Sequence, residues 1–137
     1  MSATLLRMLD YDRWANHRWL PFVEESDSLR PIFNHILNAQ AIWFRRIGTP
    51  DFALPESLAN QIEANFTAWQ SVLSERDLTE IIHYQNLAGV AQSRALGDIA
   101  LHVINHGTYH RGQLREMAAE GFPETDFILF AMESNLK

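Results

Sequence analysis

The sequence predicts an all-α protein: a four-helix bundle with a short extended or hairpin connection before the last long helix. Three observations carry this. Four segments of roughly 16–23 residues repeat their apolar side chains at the helical period. The period breaks between the third and fourth, over residues 79–95. No linker rich in Gly, Pro or Ser divides the 137 residues, so a single domain over 1–137 is expected.

In the first helix, residues 4–23, Leu5, Leu9, Trp19, Leu20 and Val23 share one face when each residue turns the chain by ~100°. Pro21 is awkward there and should end or kink it. A second helix runs from Pro31, suited to a first turn, to about Ile47, where Gly48-Thr49-Pro50 stops it. The third spans about Ser57–Ser74, with Leu58, Ile62, Trp69, Val72 and Leu73 on one face. The stretch IIHYQNLAGVAQSRAL, with β-branched residues around an Asn/Gly-bearing turn, reads as an extended connection or small hairpin. Leu96-Gly97-Asp98 is expected to start the fourth helix, with Asp98 as its N-cap, and Gly121 and Pro123 to end it. The apolar tail TDFILFAME is a short fifth helix or a strand, packed on the bundle or on a partner.

Composition excludes several classes of function. At 47% hydrophobic and 20% charged residues the chain is neither disordered nor low-complexity. No apolar run approaches ~18 residues, and the charged N-terminus lacks a signal-peptide core, so neither a membrane span nor secretion is expected. With no cysteine, disulfides, Cys-zinc sites and protein thiol nucleophiles are impossible; this fits a cytoplasmic protein. A net charge of −6 without a basic run argues against nucleic-acid binding.

The segment HVINHGTYHRGQL holds the chemistry. His102, His106 and His110 are spaced four apart. With Ile99 as origin, Val103, Leu114 and Met117 fall within ~60°, and His106 and His110 at about −20° and +20°, in the middle of that apolar stripe. His102 and Tyr109 lie to one side, near −60° and −80°. Two inward imidazoles need polar partners, water or a metal, because burying them unpaired is costly. Two readings remain open: a metal-binding HxxxH pair, or two hydrogen-bonded core histidines. The best third ligand is His35, on the flank of the Ile32/Ile36/Trp43 stripe of the second helix. His83 lies in the connection and should be at the surface. On the first helix, Asp12 and Asn16 interrupt the apolar stripe. An inward Asp12 wants a cation or an imidazole N–H, and near the site it would accept a hydrogen bond from a ligand imidazole or from metal-bound water; otherwise it is half exposed and pairs with Arg7 or Arg13. Imidazole ligands suit zinc, nickel, copper or iron.

At these residues the chain resembles the DinB branch of the DinB/YfiT-like superfamily. YDRWAN, the His35 helix followed by IWFRRI, and above all HVINHGTYHRGQL carry the resemblance, which spans essentially the whole chain. One departure is Tyr109, where many relatives have a second consecutive His. The resemblance implies a four-helix bundle, often a homodimer, with a divalent ion, nickel or zinc, on His35, His106 and His110. Some relatives transfer low-molecular-weight thiols such as bacillithiol, or isomerise maleylpyruvate using mycothiol; many have no established reaction. The function expected is a metal-dependent enzyme of the thiol S-transferase type that takes its thiol as a cosubstrate. The alternatives are a non-catalytic metal-binding or stress-response protein and a metal-dependent hydrolase. Asp12 and Tyr109 are the candidate catalytic residues. Arg45 or Arg46 would hold an anionic substrate, or both are simply surface arginines.

Overall fold

In a computed structural model, described over residues 2–119 and 121–135, the elements follow one another as α1 (Ser2–Glu24), α2 (Arg30–Arg46), α3 (Leu58–Glu75), β1 (Ile81–Gln85), β2 (Ala91–Ala95), α4 (Leu96–Met117) and α5 (Phe127–Asn135). The four long helices form the bundle. α1 packs mainly against α3 and α4, and α2 against the same two helices from the other side. No described helix is long and apolar enough to cross a membrane.

Local chemistry sets the boundaries. Pro21 neither ends α1 nor interrupts its assignment. It is exposed in the last turn, where its missing N–H removes only one ladder bond. Pro31 lies in the first turn of α2, where an N–H would be unsatisfied anyway. The Ser57 hydroxyl caps α3 by accepting from the Asn60 N–H. The connection at 79–95 is an antiparallel hairpin pairing Ile81 with Ala95 through Gln85 with Ala91. Asn86 Oδ1 accepts from the N–H groups of Ala88 and Val90 in its turn, and Gly89 takes φ +79°.

The expected cap and the expected end of α4 are corrected. The helix begins at Leu96, within the expected Leu96-Gly97-Asp98 start, but Asp98 lies in its first turn and there is no side-chain cap. The Leu96 N–H donates to Glu80 O and the Gly97 N–H to Leu78 O, so backbone from the hairpin entry satisfies donors that a cap would serve. Its other end is at Met117, with Ala118 as C-cap, before Gly121 is reached. The tail forms α5. Phe127 and Phe130 pack on Tyr11 and Trp14 of α1, so these rings are covered within the chain, while Ile128 and Met132 stay exposed.

The core has two main apolar clusters with a polar layer between them. Leu5, Leu9, Trp69, Leu73, Leu96 and Ile99 belong to one; Trp19, Phe33, Ile36, Leu37, Ile62 and Leu114 belong to the other. Between them in sequence, each long helix contributes buried polar groups: Asp12 and Asn16 from α1, Gln40 from α2, Asn65 from α3 and Arg111 from α4.

Candidate metal centre

α2 and α4 pack side by side, and at their shared edge three imidazoles converge. His35 comes from α2, and His106 and His110 come from successive turns of α4. Their ring centroids are 4.9 Å (His35–His106), 4.6 Å (His35–His110) and 4.4 Å (His106–His110) apart. One nitrogen from each ring lies within 4.8 Å of the others, a group able to hold a metal ion. The Nε2 atoms of His106 and His110 are 3.1 Å apart. Two nitrogens bound at ~2.0–2.1 Å to one tetrahedral ion would be about 3.3 Å apart, so this separation is close to that of ligands sharing an ion.

Electrostatics favour neutral, ligand-ready rings. Burial, followed by the proximity of His110, His35 and His102, pushes the His106 imidazole down to about 4. His35 is also held below the usual imidazole range, first by burial and then by His110. His110 Nδ1 lies 2.9 Å from Gln113 Oε1. In the tautomer in which Nδ1 donates to that amide oxygen, Nε2 keeps its lone pair on the side of the other two histidines.

The cluster is at a rim rather than in the core. His106 and His110 are half-buried and His35 is exposed. The expected placement of the pair in the middle of the apolar stripe is therefore corrected. The buried face of α4 runs through Val103, Gly107, Arg111 and Leu114, while Met117 is exposed. Counting Met117 inward turned the projected stripe toward the histidines. His102 is exposed and outside the cluster, its ring 5.4 Å from that of His106 and 5.5 Å from that of Trp43. Tyr109 is 71% exposed, with its ring edge-on to His110 at 5.0 Å. His17 lies 2.7 Å from Glu63, and His83 is at the surface against Ser93.

Asp12 does not serve the imidazoles. It is buried, as expected, but Oδ1 accepts from Arg111 Nη1 at 2.7 Å, and Oδ2 from Gln40 Nε2 at 2.7 Å and Asn16 Nδ2 at 3.4 Å. Of the two partners foreseen for an inward Asp12, a cation or an imidazole N–H, it has the cation: a guanidinium one residue from His110. Arg111 and Gln40 are the polar residues that sequence reasoning missed. The available signal was Gly107: a Cβ there would lie 2.5 Å from Asp12 Oδ1, so only glycine lets α1 and the Asp12–Arg111 pair come this close.

The sequence model of the DinB family matches residues 1–121. The chain belongs to the DinB family. "Protein DinB" of Bacillus subtilis (strain 168) is 26% identical to it in an alignment of 163 positions covering 95% of each chain. No solved structure matches. The histidine cluster and the Asp12–Arg111 pair both fall within the span matched to the DinB family.

Proposed function

We propose that this DinB-family protein binds one divalent ion, nickel or zinc, on His35, His106 and His110, and uses it as an enzyme of the thiol S-transferase type. The single observation that carries the reading is the convergence of three imidazole nitrogens within 4.8 Å at a half-open rim. These residues fit such an ion. Three neutral nitrogens complete the protein's share of a catalytic site and leave a position for a small molecule. A divalent ion held there lowers the pKa of a bound thiol or water.

The chain's own residues would act as follows. Gln113 fixes the His110 tautomer, so that Nε2 faces His106 and His35. Burial keeps His106 neutral at physiological pH, so protons compete little for its lone pair. With no cysteine in the chain, the reacting sulfur must arrive on a cosubstrate. Tyr109, exposed beside His110, is the candidate to exchange a proton with a substrate at the rim.

The test is metal analysis of tag-free protein followed by a thiol-transfer screen with the metal-loaded form. The expected result is one ion per chain and thiol consumption that disappears in His106→Ala. One ion per chain without thiol consumption would favour a non-catalytic binder. Ester or amide hydrolysis without a thiol requirement would favour a hydrolase.

A further inference from the structure

Along α2, Trp43 lies eight residues beyond His35, about 12 Å at the helical rise; along α4, His102 lies one turn before His106. The two helices therefore form a groove with the three histidines at one level and Trp43, Ile99 and His102 at the next. At that second level the hairpin adds Tyr84 and Arg94. The result is a cavity of about 340 Å³ lined by Trp43, Tyr84, Arg94, Asp98, Ile99 and His102. His102 joins it to the metal-binding level through its contacts with Trp43 and His106.

Among the described residues the charges here lack partners of opposite sign. Among them the Arg94 guanidinium donates only to the neighbouring Ser93 carbonyl, at 2.6 Å. Asp98 accepts no hydrogen bond and forms no ion pair among the described residues, although it shares the cavity with Arg94. Among the described residues Arg46 has no acidic partner either: its Cζ lies over the Trp43 ring at 4.5 Å and the Tyr84 ring at 5.3 Å. Arg45, the other candidate anion holder, is committed to the Phe52 carbonyl. The contrast with a larger cavity of about 550 Å³ between α1 and α5 is informative. There Arg13 and His17 pair with Glu63, and Arg18 with Glu133.

We propose that the Trp43/Tyr84/Arg94/Asp98 cavity is the substrate pocket of the three-histidine centre and takes a small zwitterion with an amino-acid-type end. The substrate's carboxylate pairs with Arg94, its ammonium pairs with Asp98, and its apolar body lies against Trp43 and Ile99, directed along the groove toward His106. This rests on the reading of the histidines as a reaction centre, but its binding chemistry can be tested without a metal.

The experiment follows the Trp43 indole resonance of the metal-free full chain, assigned with Trp43→Phe, during titration with L-norvaline, N-acetyl-L-norvaline or L-norvaline methyl ester. L-Norvaline should saturate with a Kd in the millimolar range, and each blocked derivative should bind about 10-fold more weakly. Arg94→Gln should weaken L-norvaline about 10-fold and leave the methyl ester unchanged. Asp98→Asn should do the same and leave the N-acetyl derivative unchanged. Equal binding of all three probes, indifference to both substitutions, or no saturable shift with L-norvaline up to about 50 mM would overturn the proposal. Zinc affinity measured separately should stay within about twofold in both variants, so failure of the pocket and failure of the histidine centre give different results.

Discussion

His110 and Arg111 are neighbours in α4, yet they belong to opposite kinds of polar cluster. His110 joins a rim of three imidazoles whose ligand nitrogens face one another and solvent. Arg111 turns into the bundle and is 3% exposed; its Nη1 reaches Asp12 and Asn16, its Nη2 reaches Thr108, and only Nε lacks a partner. One cluster has lone pairs available to a ligand, whereas the other spends almost all its hydrogen-bonding capacity within the chain. Polar groups among apolar helices are therefore not by themselves evidence of a reaction site. What separates the two is whether the groups satisfy one another.

The largest expected effect lies in the closed cluster. Arg111→Ala leaves the buried Asp12 carboxylate without its cation and should cost about 3–5 kcal/mol of stability in a urea titration. Gly107→Ala should be destabilising in the same assay, because its Cβ would meet Asp12 Oδ1 at 2.5 Å. A loss under ~1 kcal/mol for Arg111→Ala would mean that the pair is structurally dispensable.

The open cluster should show the reverse pattern. His106→Ala should lower zinc affinity at least 100-fold, more than loss of a partner outside the coordination shell typically costs, yet shift the metal-free urea midpoint little. His102→Ala, outside the cluster, should leave zinc affinity nearly unchanged.

The pH dependence of the metal-free protein follows from His106. Its folded pKa, about 4, is below the ordinary imidazole value of 6.5, so at intermediate pH the unfolded chain binds the extra proton. Stability should therefore fall as pH drops from about 6.5 to about 4 and then level off as far as this group is concerned, by less than the full pKa difference implies because the half-open rim is screened by solvent. The depression of His35 adds to the loss in the same direction. In His106→Ala this part of the slope should be reduced in thermal melts across that range. A smaller effect is expected at Gln113: replacing it with Ala frees the His110 tautomer and should weaken zinc binding about 10-fold.

Much of this was legible in the sequence. Apolar periodicity gave the four helices and the broken period gave the hairpin, because both signals are local. His35, His106 and His110 were singled out from spacing, face and family resemblance, and the fold brings them together. That an inward Asp12 needs a cation or an imidazole was legible, but not which residue supplies it: a buried ion pair between residues 99 positions apart leaves no periodic trace. An arginine on a helix reads as solvent-facing until a partner is found for it. The histidines were placed too deep because the stripe was drawn through Met117, whereas the buried face of α4 follows Gly107 and Arg111. The cap of α4 was misplaced at Asp98 for a related reason, since the groups that satisfy its first turn are backbone carbonyls of Leu78 and Glu80.

The contrast between the two clusters is tested most directly by X-ray absorption on tag-free protein loaded with one equivalent of zinc. Three imidazole nitrogens at ~2.0–2.1 Å are expected, falling to two in His35→Ala, with no protein carboxylate in the shell. Two or fewer imidazoles in the unaltered protein, or a spectrum that His35→Ala leaves unchanged, would contradict a three-histidine centre at the α2–α4 rim.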